Sequence, residues 1–226
     1  ARAVVRTVNQ GMTGDIVVYL RAGRYVLANT LTFDQIDSGT NGFNVIYAAY
    51  PKEKPIISGG QQITGWAPVG NGIYKANVGS LRFRQLYVND VPAIRARTPN
   101  EGTYNRIKSW DEANKRIVVN ASETSNWQSL NEVEIITFKE WTQNNMRIGS
   151  FSISGVDAYI TGMEPDRSRN FQTQQYLRQS NQGYFFENAY EFLDAPGEFY
   201  LNTGTNELFY RPRAGEDLES AVVFAP

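Results

Sequence analysis

The chain has 226 residues, a formal net charge of −1, and neither cysteine nor histidine. Those two absences exclude disulfides, thiolate nucleophiles and Ser-His-Asp or Cys-His catalysis, and they remove the usual zinc ligands, so no metal and no cofactor is expected. The near-neutral charge offers no basic field for nucleic acid, and no apolar run approaches the roughly 20 residues of a membrane-spanning helix.

Helical periodicity is confined to residues 2–10 (RAVVRTVNQ), which predict a short helix stopped by Gly11. Beyond it, β-branched and aromatic runs alternate with Gly, Asn, Asp and Pro, the texture of strands and turns. Runs at 15–20 (DIVVYL), 25–33 (YVLANTLTF), 44–50 (NVIYAAY) and 55–58 (PIIS) predict four strands. IVVYL and VIYAA are apolar almost throughout, as in strands buried on both faces. Ile16 and Val45 are 29 residues apart and Leu31 and Ile57 are 26 apart, so similar units return as in two coils of a solenoid. An ordinary sandwich with accidental spacing is the alternative.

At Gly59-Gly60 the texture changes to short segments with tight turns, at 63–66, 72–76, 84–88 and 91–97. Asn89-Asp90 reads as a hairpin turn between the last two. Further strands are predicted at 116–120, 133–141, 147–153 and 158–162, several alternating polar and apolar residues as an antiparallel sandwich does. Residues 166–182 are polar and predict a surface loop, with a lid over a ligand as the functional alternative. Strands follow at 184–187, 198–202 and 208–211, the last two joined as a hairpin, and AVVF at 221–224 predicts another buried strand.

The candidate site residues come from local context. Arg95 and Arg97 sit at i, i+2 on a predicted strand and so share a face, where they need anions between them. Glu187, Asp194, Glu198, Glu216 and Asp217 are the candidates; Asp194 and Glu198 join the two arginines as structural ion-pair candidates, and a sugar-binding role is the alternative. Asn188, beside Glu187, either caps a turn or hydrogen-bonds a ligand hydroxyl. Trp66 and Trp141 are expected as core anchors. Trp110 (KSWDEAN) and Trp127 (TSNWQSL) lie in polar contexts, where an indole either covers a sheet edge or stacks on a pyranose ring while its neighbours bind hydroxyls. Trp110, Trp127, Glu187 and Asn188 are therefore the carbohydrate-binding candidates, and no catalytic residue is nominated. The acidic stretch 194–198 lacks the ligand spacing of a calcium loop.

Taken together, RAGRYVL, DSGTNG, YPKEKPIISGG and ITGW, followed by RQLYVNDVPAIRARTPN, FFENAYEFLDAPGEFYLN and LFYRPRAGEDLESAVVFAP, carry a family resemblance. In order and spacing they resemble bacterial glycoside hydrolases of the right-handed parallel β-helix type, a group with β-xylosidase-like and α-fucosidase-like members. The resemblance implies an all-β chain. The first coils of a right-handed parallel β-helix and a cap occupy 1–60, an inserted antiparallel β-sandwich domain 61–217, and a strand returning to the β-helix 218–226. It also implies that the catalytic carboxylates lie on later coils. The chain would then be a non-catalytic N-terminal portion of a longer, secreted or cell-surface polysaccharide-degrading enzyme. Its partners would be a polysaccharide or oligosaccharide and the remainder of the β-helix in the same polypeptide. A stand-alone carbohydrate-binding module and a structural or adhesive β-helix protein are the other readings.

Overall fold

The computed structural model describes residues 1–172 and 175–226. They form two compact units, Ala1–Gln61 with Pro226, and Gln62–Ala225.

In the first unit, helix α1 (Arg2–Val8) runs into a 3-10 turn at Asn9–Gly11, as the periodicity predicts. Polar contacts tie it to residues 34–41. The Arg6 guanidinium grips buried Asp37 through Nε (2.6 Å) and Nη2 (2.7 Å). That hydrogen-bonded cation holds the Asp37 carboxyl down at about 2. Asn9, fully buried, donates Nδ2 to the carbonyls of Ile36 (2.9 Å) and Ser38 (2.8 Å).

Strands β1 (Ile16–Leu20) and β3 (Val45–Ala49) pair in parallel with Ile16 opposite Val45, the 29-residue offset of the sequence. Strands β2 (Gly23–Val26) and β4 (Pro55–Ser58) also pair in parallel, with Tyr25 opposite Ile57. Here the sequence reading is corrected, because the run expected to reach residue 33 ends as a strand at Val26. The Leu27 amide still reaches the Ser58 carbonyl at 2.8 Å. β4 then gives way to Gly59-Gly60, leaving later residues no ladder to join. Leu31 and Phe33 stay exposed. The apolar runs are not buried on both faces either. Ile16, Val18 and Leu20 are half-buried, whereas Val17 and Tyr19 on the opposite face are 42% and 52% exposed.

Short strand β5 (Gln61–Gln62) lies where one unit gives way to the other. The second unit contains β6 (Ala67–Gly70), β7 (Ile73–Asn77), β8 (Tyr87–Val88), β9 (Val91–Pro92), β10 (Ile94–Arg95), β11 (Arg97–Thr98), β12 (Asn105–Arg106), β13 (Ser109–Asp111) and β14 (Arg116–Asn120). It continues with β15 (Glu134–Lys139), β16 (Thr142–Ser154), β17 (Asp157–Gly162), helix α2 (Asp166–Gln172), β18 (Gly183–Glu187), β19 (Glu198–Asn202), β20 (Glu207–Tyr210) and β21 (Val223–Ala225).

Among the described residues, one large sheet runs β11-β18-β15-β16-β17-β14-β13 with β12 also on β18, and a five-stranded sheet runs β10-β19-β20-β7-β6. A third ladder joins β21 to β8 and β8 to β9, all antiparallel. The Asn89-Asp90 turn between β8 and β9 has φ of 51° and 63°, the left-handed pair that a tight primed turn requires. The final strand, β21, pairs antiparallel with Tyr87–Val88.

Strand alternation distributes the side chains of the five-stranded sheet between two cores. Tyr200 of β19 and Phe209 of β20 pack with Ile117, Ile135, Met146, Ile160 and Phe186 of the large sheet. Phe199, Leu201, Leu208 and Tyr210 pack with Leu86, Val88, Leu218 and Val223. Both faces of this sheet are covered, which explains why EFYLN and ELFY show so little polar alternation. Each fully buried large apolar side chain stabilises the fold by about 1.5–3 kcal/mol.

Three further expectations change. The polar stretch 166–182 is not a plain loop: it contains α2 and a 3-10 turn at Gln175–Leu177, while residues 173 and 174 lie outside the described residues. One apolar anchor, Phe171, packs α2 onto the core and meets Trp110 edge-to-face at 5.6 Å. Trp141 is no core anchor but 80% exposed, because Glu140 and Trp141 form the two-residue turn beyond the Lys139–Thr142 pair of the β15–β16 hairpin. Trp66 does pack on a core, at 6.2 Å from the Tyr210 ring.

Candidate functional site

The predicted arginine–carboxylate pair exists, within a larger cluster. Glu134 on β15 and Glu187 on β18 are register partners, two carboxylates directly opposite each other. Arg95 Nη1 lies 2.9 Å from Glu134 Oε1 and 2.6 Å from Glu187 Oε1. Arg84 closes the outer side, Nη1 on Glu134 and Nη2 on Glu187. Burial pushes the Glu134 carboxyl up, but the hydrogen bond from Arg84 and the charges of Arg95 and Arg84 outweigh it and hold it below its ordinary value.

Arg97 takes a different route, which corrects the expectation of a shared face. At Ala96 the chain crosses from the β10–β19 pair into the β11–β18 pair, breaking the strand alternation. The Arg97 guanidinium donates to the carbonyls of Pro99 and Thr103, both at 2.9 Å, and stacks 3.6 Å from the Phe185 ring centre. Asp194 and Glu198 join no ion pair among the described residues. Exposed Asp194 accepts from Asn100 Nδ2 at 3.0 Å. Buried Glu198 accepts backbone N–H groups of Ala195 (2.9 Å), Asp194 (3.1 Å) and Arg97 (3.4 Å). Burial raises its carboxyl to about 6 against those three hydrogen bonds.

Of the carbohydrate candidates, Glu187 and Asn188 are buried. Asn188 adopts φ of 63° and bridges structure rather than facing solvent, donating Nδ2 to the Glu132 carbonyl at 3.0 Å and accepting from the Leu201 amide at 3.4 Å. Trp110 is half-buried, with its indole N–H committed to the Gln179 carbonyl at 3.0 Å. Trp127 is not an exposed platform. It is 7% exposed, at 5.0 Å from the Phe186 ring, 5.4 Å from Phe151 and 5.8 Å from Phe192.

Trp127 nonetheless lines, with Phe192, a cleft of about 380 Å³ whose other lining residues are polar. This is within the range of about 300–1,000 Å³ common to small-ligand sites. One wall follows from the end of β14. Asn120 opens a 3-10 turn, Ala121–Glu123, and its backbone N–H and Nδ2 donate to Glu123 at 3.2 and 3.1 Å. Tyr184 Oη donates to the same carboxylate. Burial and that carboxylate push the Tyr184 phenol far up, keeping it a donor. Glu123 is thereby fixed in orientation. The hydroxyls of Ser122, Thr124 and Ser125 continue this wall, Thr98 and Asn105 contribute from β11 and β12, and Glu191 faces them from the turn Tyr190–Phe192. Glu191 accepts the Gln128 amide at 3.0 Å. The Trp127 Nε1–H finds no acceptor among the described residues.

Chemically, this cleft is a hydrogen-bonding surface over an apolar base, with two carboxylates and no Lys or Arg among its described lining residues. No three His, Cys, Asp or Glu side chains converge as cation ligands among the described residues. Sequence reasoning missed Glu123 and Glu191. The N-x-x-E pattern of Asn120–Glu123 is a capping-box signal that could have located the first; nothing local marks the second.

The sheets and the cleft define a β-rich domain related to glycoside hydrolases. Residues 71–213 match the family model of the GH141 insertion domain, more than half of the chain, and the chain belongs to that family. Over 100% of its length it is also similar to a solved structure titled "Glycoside hydrolase", with 29% sequence identity and a TM-score of 0.88. The chain spans 41% of the length of that structure. No curated protein matches the chain.

Proposed function

We propose that the chain is a non-catalytic portion of a polysaccharide-degrading glycoside hydrolase, secreted or displayed at a bacterial cell surface. In this reading the first unit supplies the opening coils of a right-handed parallel β-helix, and the second unit is a domain inserted among those coils that borders the sugar site. The similarity of the whole chain to 41% of a glycoside hydrolase carries the reading. The two parallel pairs of the first unit support its finer part, because their register offsets, 29 residues for Ile16–Val45 and 32 for Tyr25–Ile57, fall within the roughly 20–45 residues of a stacked repeat.

The carboxylate pair that arginines bridge agrees with a non-catalytic role, and Glu198, whose carboxyl is raised to about 6, is buried and turned onto three backbone amides. Glycoside hydrolysis by paired carboxylates needs one of them protonated near neutral pH. Glu134, in the one buried carboxylate pair bridged by arginines among the described residues, is held below its ordinary pKa, opposite to what a general acid needs. The test compares this chain with a longer polypeptide that continues it, on a panel of nitrophenyl glycosides and polysaccharides. Hydrolysis is expected from the longer form alone. Release of nitrophenol by residues 1–226, abolished by a single carboxylate substitution within them, would overturn the reading.

A further inference from the structure

The geometry points to the cleft over Trp127 as a binding site for one uncharged sugar residue of an oligosaccharide, built to reject uronic acids and other anionic sugars. The inference rests on the carbohydrate reading above and adds to it a site and a selectivity. Its first support is the composition of the walls: Ser122, Thr124 and Ser125 offer hydroxyls, Glu123 and Glu191 offer carboxylate acceptors, and Trp127 supplies the apolar base. A sugar presents the matching combination, hydroxyls around its edge and C–H groups on its faces.

Preorganisation is the second support. Glu123 is held by Asn120 and Tyr184 before any ligand arrives, so ordering it adds no cost on binding.

Selectivity follows from charge. An anionic sugar would enter beside two carboxylates with no lining cation to offset them. An uncharged sugar meets the same carboxylates as hydrogen-bond acceptors, the stronger kind because they are ionised. The repulsion is screened by salt, so discrimination should be widest at low ionic strength.

The experiment titrates the 226-residue chain with xylo-, cello-, manno- and galacto-oligosaccharides and with oligogalacturonides, following backbone amide shifts by NMR. We expect an uncharged member of the panel to shift amides around 122–127 and 191, and oligogalacturonide to bind about tenfold more weakly or less. Ser125→Ala and Glu191→Gln, both at exposed positions, should weaken the uncharged ligand, and Glu191→Gln should narrow its advantage over the uronide. Oligogalacturonide binding as tightly as the uncharged sugar would overturn the selectivity. Sugar binding unaffected by both substitutions would overturn the site and leave the carbohydrate reading standing. No binding of any member of the panel would overturn both.

Discussion

Arg95 bridges Glu187 and Glu134 within a buried group of charges: its Nη1 lies 2.6 Å from Glu187 Oε1, and the same Nη1 reaches Glu134 at 2.9 Å. The two carboxylates are cross-strand neighbours, an arrangement that repels unless a cation lies between them. Arg95 is that cation, with only 12% of its side chain exposed, whereas Arg84 on the outer side is 47% exposed. The two arginines share their partners and differ in how far water can replace them.

Arg95→Met should therefore cost about 3–5 kcal/mol, because it leaves buried carboxylates facing each other with an incomplete counter-charge. Arg84→Met should cost no more than about 1 kcal/mol, since solvent screens the charge it removes. Urea unfolding of both variants measures the difference, and equal losses would show that burial does not set the strength of these pairs.

Glu198 makes stability depend on pH in a direction opposite to carboxylates such as Asp37, whose pKa is lowered. Its folded pKa, about 6, lies above its ordinary value of 4.5. The folded state thus binds the proton more tightly than the unfolded chain. The resulting stabilisation is fully present below pH 4.5 and is lost as pH rises through about 6, a change of about 2 kcal/mol. Asp37, held at about 2, has the opposite sign: its contribution is present above the ordinary carboxylate range and is lost as pH falls through about 2. Thermal unfolding between pH 4.5 and 7 should show the Glu198 decline, and Glu198→Gln should flatten it.

Two tryptophans provide a contrast within one chain. Trp127→Ala should cost about 3–5 kcal/mol, as removal of a large buried ring does. Trp141→Ala should change stability by no more than about 0.5 kcal/mol, because the side chain is a turn residue in solvent. Denaturant midpoints for the pair check both values.

Gly162 lies against Met146, whose Sδ would be 2.3 Å from an added Cβ. Gly162→Ala should destabilise by about 1–3 kcal/mol through overpacking. Met146→Ala alone leaves a cavity, so the double variant should be more stable than the sum of the two single losses. A double-mutant cycle in urea gives the coupling directly.

The same residues show which parts of the molecule could be read without coordinates. Asn89-Asp90 was legible because a primed turn is a local matter of φ, and the Ile16–Val45 offset because a repeat leaves its period in the chain. The partner of Arg95 was legible in part: Glu187 came from a motif, but Glu134 and Arg84 are brought in by sheet pairing alone. Two tryptophans were misread: TSNWQSL sends Trp127 inward despite its polar neighbours, and Trp141, expected in a core, stands on a hairpin turn as its polar context KEWTQNN suited. Helix α2 escaped notice because a single anchor, Phe171, gives no periodicity. In the cleft, Trp127 was named for an exposure it lacks, and Glu191 carries no local signal at all.

The interior strand β19, between β10 and β20, raises a question of register. A sheet with one wet face is fixed by hydropathy, since a slip of one residue would turn its apolar side chains to water. Phe199, Tyr200 and Leu201 point alternately into two apolar layers, so a slip would exchange one oily environment for another. Greasiness alone cannot tell this strand which way to face. Polar fastenings at its C-terminal end supply what it lacks. Buried Asn188 accepts the Leu201 amide, and Asn202 Oδ1 accepts the amides of Gly204 and Thr205 in the turn to β20. In this part of the molecule a few amide side chains act as the alignment marks, and the hydrophobic residues fill whatever frame those marks define.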